Sequence, residues 1–216
     1  MPISNAFNMD CMEAMKEFSD KYFELAIVDP PYGIGENGAR GNNKTVKWKN
    51  PKKSVHSKKD WDKNIPDKKY FNELFRISKN QIIWGGNYMT EYLPPKMGWV
   101  FWDKKTGDSD FSDGELAWTS FDKALRKFDW LWSGFKQKKI EKRLHPTQKP
   151  VALYKWLLTN YAKEGDKILD THLGSGSSRI AAHDMGFDFW GYELDTDYFE
   201  AQEKRFNNFK MQGKLF

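Results

Sequence analysis

Two groups of residues in this 216-residue chain have types and spacing that suit chemistry. In the first, the apolar run Leu25-Ala26-Ile27-Val28 stops at Asp29, which is followed by Pro30, Pro31 and Tyr32. The prolines cannot donate ladder hydrogen bonds and hold the backbone extended, so the chain leaves its strand in a stiff, fixed direction. A carboxylate, free carbonyls and a ring are thereby delivered to one place. The second group is Gly174-Ser175-Gly176-Ser177 after Asp170, with Glu193 standing 19 residues beyond the first glycine. A strand, a G-x-G turn, a helix and an acid at that distance suit a nucleoside: glycines permit close backbone approach and the acid takes ribose hydroxyls. Arg179 occupies the place of the third glycine of a dinucleotide fingerprint, so a nucleoside without a pyrophosphate fits better. Taken singly, the first group has a plain strand exit as its minor alternative, and the second reads equally as an ordinary tight turn.

The elements that must position these groups alternate along the chain. Strand patterns cover Ala6 to Asn8, Leu25 to Val28, Gln81 to Trp84, Gly98 to Trp102, Glu115 to Thr119, Lys167 to Leu169 and Phe187 to Tyr192. Helical spacing covers Cys11 to Phe18, Asp67 to Ile77, a short Asn87 to Leu93, Val151 to Tyr161, Ser178 to Met185 and Thr196 to Phe206. Strand-helix alternation predicts an α/β fold: a Rossmann-like, mostly parallel sheet with helices on both faces, whose ligand crevice lies at the carboxyl ends of its strands. The length suits a single domain, 1 to 216. Two basic insertions interrupt it, at about 36–65 and 104–144. The first carries Arg40, Lys44, Lys47, Trp48, Lys52 and Lys53, and the second interleaves rings with cations up to Lys138, Lys139 and Arg143. Such mixtures suit a nucleic-acid surface, and equally a solvated charge run with hydrophobic anchors. Trp61 lies in the same kind of sequence.

A formal charge of +5 hints at a polyanionic partner. Cys11 is the only cysteine, which excludes an intrachain disulfide and suits a reducing compartment. The histidines His56, His145, His172 and His183 have no metal-site spacing, so no metal is expected. No membrane span or signal peptide is expected either. Most of the ten tryptophans are expected in the core.

The whole resembles an amino-group DNA methyltransferase of the permuted (beta) class, in which the catalytic segment precedes the cofactor segment. Asp29-Pro30-Pro31-Tyr32 resembles the catalytic D-P-P-Y. His145-Pro-Thr-Gln-Lys-Pro150 is similar to the H-P-T-x-K-P segment, and Asp170-Thr-His-Leu-Gly-Ser-Gly-Ser177 to the D-P-F-x-G-S-G turn. The resemblance implies S-adenosylmethionine as cofactor, with no metal. It implies that Asp10 and Cys11 lie beside the adenine, that Glu193 holds the ribose, and that Thr147, Gln148 and Lys149 line the methionine end. Lys149 also reads as a helix-capping lysine. Asp29 and the turn Asp170, His172, Leu173, Gly174, Ser175, Gly176 and Ser177 complete the implied pocket. Thr171-His172 departs from the usual Pro-Phe, and lower cofactor affinity is the expectation.

Methylating an exocyclic amine requires its delocalised lone pair to be localised. Asp29 and the Pro30 carbonyl are the expected hydrogen-bond acceptors, and Tyr32 the shelf for a flipped base. Aspartate in the motif resembles adenine-N6 enzymes. A cytosine-N4 enzyme is the first alternative, and a non-catalytic nucleic-acid-binding protein on the same fold a more distant one. The resemblance further implies a DNA partner, a homodimer, and a bacterial or phage-encoded protein of restriction-modification or phage type, working in the cytoplasm near the nucleoid. The end Gln212-Gly-Lys-Leu-Phe216 resembles a sliding-clamp docking peptide, with a frayed tail or a terminal apolar pair folded onto the domain as the more ordinary readings.

Overall fold

The computed structural model describes residues 1–35, 61–107, 112–133, 136–137, 141 and 143–212. In chain order the elements are β1 (Ser4–Asn8), α1 (Cys11–Lys16), β2 (Phe23–Val28), α2 (Lys68–Ile77), β3 (Ser78–Trp84), a 3-10 turn (Gly86–Tyr88), β4 (Trp99–Asp103) and β5 (Gly114–Thr119). There follow β6 (Arg126–Asp129), β7 (Trp132–Ser133), β8 (Lys136–Gln137), α3 (Val151–Tyr161), β9 (Lys167–Asp170), α4 (Ser177–Asp184), β10 (Asp188–Glu193) and α5 (Thr196–Gln212).

Eight strands form one mixed sheet in the order β1-β10-β9-β2-β3-β5-β4-β6. The first five run parallel to one another, β5 runs antiparallel to both β3 and β4, and β6 runs parallel to β4. β7 and β8 make a separate two-stranded ribbon. This is the Rossmann-like sheet read from the alternation of strand and helix, with an antiparallel strand admitted on one side.

Strand β2 is buried on both faces, and its alternate side chains serve two cores. Leu25 and Ile27 pack with α3 and α4 residues such as Leu153, Leu157 and Ala181, whereas Ala26 and Val28 pack with Met15 of α1 and Phe71 and Leu74 of α2. Trp84, Trp102 and Trp118 are fully buried in these layers, and each such ring removes roughly 150–250 Å² from water. Asp67 caps α2 by accepting from the amides of Lys69 and Tyr70, and Asp10 caps α1 by accepting from Met12 N at 2.8 Å.

Three local readings change. The stretch Asn87 to Leu93 holds no α-helix: a 3-10 turn covers Gly86–Tyr88, and only turns and bends follow it. It starts from Gly85 in the left-handed region and ends at Pro94-Pro95, which leaves too few residues for a stable α-helix. β6 joins the sheet edge although its sequence, Arg-Lys-Phe-Asp, turns only Phe128 inward. Lys127 and Asp129 on its outer side pair with each other, and Lys127 also reaches Asp103. The final helix runs on to Gln212, beyond the expected Phe206.

This topology places the site. β9 lies next to β2 in the sheet, but from β9 the chain winds outward to β10 and from β2 it winds to β3. The pair β2/β9 is therefore the switch point, where a crevice opens at the carboxyl ends. With Ala26 opposite Leu169, Asp29 and Asp170 stand at the same end of neighbouring strands. Glu115 enters the same edge, because β5 runs antiparallel to β3 with Ala117 opposite Trp84.

Candidate active site

Asp29 lies at the centre of a charged cluster. Tyr32 OH donates to Asp29 Oδ1 at 2.7 Å, and Lys149 Nζ donates to Asp29 Oδ2 at 2.5 Å and to Tyr32 OH at 3.1 Å. The same ammonium lies 3.0 Å from Glu115 Oε2, whose other oxygen is paired with Lys104 Nζ at 2.5 Å. Two carboxylates and two lysines are thus interleaved, and the Lys149 side chain is only 2% exposed. Burial pushes the Asp29 carboxyl above its usual range despite Lys149. Burial also opposes ionisation of Glu115, but Lys149 and Lys104 overcome it and hold that carboxyl down to about 2. Burial works against the Lys149 charge as well, and Asp29 and Glu115 together raise its pKa.

The turn from Asp29 to Gly33 is tied down independently. Asp62, itself buried, accepts from the backbone N–H of Tyr32 and Gly33. The Tyr32 ring stacks on Tyr88 with centroids 5.2 Å apart and planes 18° from parallel. Gly85, at φ +68°, leaves room for that ring: a Cβ there would stand 2.2 Å from Tyr32 Cε1.

The second half of the crevice is built around Asp170. Ser178 Oγ donates to its Oδ2 at 2.5 Å and the His172 amide to its Oδ1 at 3.0 Å, yet burial pushes this carboxyl up to about 7. The turn that follows needs left-handed backbone at Gly174 and Gly176, with Leu173 buried beneath it. Glu193, at the end of β10, accepts from Gly174 N at 2.8 Å and from Asp195 N at 2.9 Å. Arg205 of α5 reaches under the turn, donating to Ser175 O at 2.8 Å and Ser177 Oγ at 2.9 Å, and its other nitrogen pairs with Glu141 at 2.6 Å. Asn8, one residue before Met9-Asp10, donates to Glu193 O and Leu194 O, which brings Asp10 and Cys11 to this same end of β10. Burial pushes the Cys11 thiol up to about 12.

The departure Thr171-His172 forms its own hydrogen-bonded chain. Tyr70 OH and Thr171 Oγ1 are 2.7 Å apart, Thr171 Oγ1 and His172 Nδ1 are 2.9 Å apart, and the imidazole meets the Tyr70 ring edge-on. Burial pushes His172 down to about 4, so the ring is neutral at physiological pH. Arg179, in the place of a third glycine, is structural: it is buried, hydrogen-bonds Ser4 and Gln202, pairs with Glu203, and lies over the Phe206 ring.

The segment from His145 to Pro150 crosses between the halves. His145 packs on Trp61 and Tyr198, Thr147 Oγ1 lies 3.1 Å from His145 Nδ1, and Gln148 Oε1 accepts from Leu144 N at 2.8 Å. These contacts aim Lys149 at Asp29, whereas the resemblance implies a place at the methionine end of the cofactor. Trp61 therefore packs within the domain. Arg143 lies with its guanidinium 5.3 Å from the Trp132 ring centroid. Arg40, Lys44, Lys47, Trp48, Lys52, Lys53, Lys138 and Lys139 lie outside the described residues, as do residues 213–216 of the docking-like tail. Among the described residues no group of three or more His, Cys, Asp or Glu is arranged to hold a metal ion, and no helix is long and apolar enough to cross a membrane.

Sequence reasoning missed Glu115, Asp62, Tyr88 and Arg205. Only Glu115 carried a signal, an acid at the head of an otherwise apolar strand, Leu116-Ala117-Trp118.

A family model described as DNA methylase matches residues 80–204, more than half of the chain. Type II methyltransferase M2.MboI of Moraxella bovis is 23% identical over 245 residues, covering 94% of this chain and 87% of that protein. Type II methyltransferase M2.DpnII of Streptococcus pneumoniae is 39% identical over a shorter stretch of 77 residues, 35% of this chain and 29% of its own. In fold, the chain is similar to the M1.HpyAVI–SAM complex, with a TM-score of 0.57 at 18% identity over 95% of this chain and 100% of that one. It is also similar to the cytosine-N4-specific PvuII DNA methyltransferase, with a TM-score of 0.59 at 11% identity over 95% and 87%. The matched family stretch holds Glu115, Lys149 and the whole Asp170-to-Glu193 half of the crevice, and the chain belongs to the DNA methylase family as a DNA methyltransferase.

Proposed function

We propose that the protein transfers a methyl group from S-adenosylmethionine to the exocyclic N6 amine of a flipped adenine in DNA. The observation that carries this reading is the position of Asp29-Pro30-Pro31-Tyr32 at the switch-point crevice, across from the glycine turn of residues 174–177. The residues of the second half fit the cofactor: two left-handed glycines leave the backbone bare, and Glu193 lies at the end of β10 where ribose hydroxyls are taken. When bound there, S-adenosylmethionine supplies an electrophilic methyl on a sulfonium. Asp10, Cys11, His172, Leu173, Ser175 and Ser177 border the same end, and Thr147 and Gln148 shape the crossing segment.

The chain's own groups supply alignment and charge. Asp29 and the Pro30 carbonyl accept hydrogen bonds from the two amine N–H groups, which draws the lone pair out of conjugation and stabilises the positive charge that develops on nitrogen. The bound cofactor would give its methyl to the amine nitrogen, with the electron pair of the carbon–sulfur bond staying on sulfur, and the alkylated nitrogen would lose one proton to solvent water. Asp29 acts as a hydrogen-bond acceptor rather than a strong base, since both its oxygens are already engaged by donors. Flipping the base costs roughly a few kcal/mol. Tyr32 and the exposed Tyr88 stacked on it form an aromatic wall that offsets part of that cost.

The adenine assignment rests on the aspartate of the motif. The basic segments at about 36–65 and 104–144, with Arg143, are assigned to phosphate contact and target recognition within a single domain, and binding through them weakens with salt. On the resemblance alone, the protein works in the cytoplasm on nucleoid DNA, pairs as a homodimer, and docks on a sliding clamp through Gln212-Phe216.

The test is to incubate the protein with S-adenosylmethionine and unmethylated genomic DNA, digest to nucleosides and identify the product by mass spectrometry. N6-methyladenine is expected. N4-methylcytosine moves the reading to the alternative amine, and unmodified DNA overturns it.

A further inference from the structure

Asp29 is occupied in this structure: one oxygen accepts from Tyr32 OH and the other from the Lys149 ammonium. An incoming amine must displace one of these donors. The ammonium is also the wrong neighbour for methyl transfer, since the amine nitrogen becomes cationic and like charges repel strongly in a site shielded from water. Removing Lys149 from Asp29 with nowhere to go would leave a buried, unpaired charge, which proteins avoid.

The cluster contains the alternative seat. Glu115 Oε2 is already 3.0 Å from Lys149 Nζ. Its other oxygen is paired with Lys104, which holds the carboxylate in place and favours its charge alongside Lys149. Glu115 also lies 3.4 Å from Tyr32 OH, within reach of the second donor to Asp29. We propose that Glu115 is a positioning residue for methyl transfer: it takes the Lys149 ammonium from Asp29 when the target amine enters, leaving one Asp29 oxygen for the amine proton. Lysine suits the exchange because its ammonium is a point charge on a flexible stem, and the shift only tightens a contact already made. The inference rests on the role of Asp29 as amine acceptor stated above.

The test is a double-mutant cycle on the full chain with unmethylated genomic DNA and labelled S-adenosylmethionine. E115Q is expected to lower kcat about 10²-fold, the scale of a misplaced acceptor, with the Kd for S-adenosylmethionine, measured by calorimetry, unchanged. E115D is expected to restore most of kcat. With the ammonium removed, Glu115 has nothing to receive, so K149M and E115Q/K149M are expected to share one kcat. Wild-type kcat in E115Q, or losses that multiply in the double variant, overturns the proposal. Where E115Q does not fold, the comparison of K149M with the charge-balanced double variant decides alone. A wild-type protein that fails to methylate DNA overturns the function reading instead, so the two failures are distinct.

Discussion

Asp62 Oδ1 accepts hydrogen bonds from the backbone N–H of Tyr32 at 2.7 Å and of the following Gly33 at 2.9 Å. A single buried carboxylate oxygen therefore fixes the exit of the turn that carries Asp29 and Tyr32, and Gly35 N closes the same contact by donating to Asp62 O at 3.0 Å.

Asp62→Ala is expected to leave two backbone donors without their acceptor, at a cost of about 1–3 kcal/mol of stability. The larger effect falls on the reaction, because Tyr32 and the Pro30 carbonyl lose their fixed bearing. Thermal denaturation together with initial rates of methyl transfer checks this: kcat should fall by about tenfold or more while cofactor affinity holds.

Gly85→Ala tests the room given to Tyr32. The new Cβ would overlap the Tyr32 ring, and the residue would be held at a positive φ. Strain of about 1–3 kcal/mol is expected, together with loss of the Tyr32–Tyr88 stack and of most activity. A crystal structure of the variant with Tyr32 unmoved would count against this placement.

Arg205→Met tests the support under the glycine turn. Arg205 bridges Ser175, Ser177 and Glu141 from α5, and losing a charge-assisted contact of this kind is expected to raise the Kd for S-adenosylmethionine about tenfold. Calorimetry measures it directly, and kcat at saturating cofactor should change little.

Two buried groups give opposite pH dependence. Asp170 has its pKa raised in the fold from 3.8 to about 7, so its contribution is fully present below pH 4 and lost as pH rises toward 7. His172 is lowered from 6.5 to about 4, so its contribution is present above pH 6.5 and lost as pH falls through 4. The two slopes largely cancel between these limits. His172→Phe removes one of them, and relative to the wild type the variant should gain about 3 kcal/mol of stability between pH 6.5 and pH 4. Denaturant unfolding across that range provides the check.

The parts visible in the sequence share one property: local pattern and tertiary role coincide. Leu25 to Val28 reads as a doubly buried strand because both of its faces meet apolar layers, and Gly174 and Gly176 read as a turn because only glycine takes that backbone comfortably. Asp62 is not legible and Glu115 only faintly so, because a carboxylate after a loop or at the head of a strand looks like ordinary surface until the sheet order brings it to Tyr32 or Asp29. β6 was hidden for the opposite reason. It is an edge strand held by one inward ring and by charges that also suit solvent. Lys149 was found by its motif, but its direction is set by Gln148 and His145 packing across the chain, which no spacing encodes.

The role assigned to Asp29 is to localise the amine lone pair. Asp29→Ala, assayed with labelled S-adenosylmethionine and unmethylated DNA alongside calorimetric cofactor binding, tests it most directly. Methyl transfer is expected to be abolished while cofactor still binds; transfer at a rate near that of the wild type would overturn this role for Asp29.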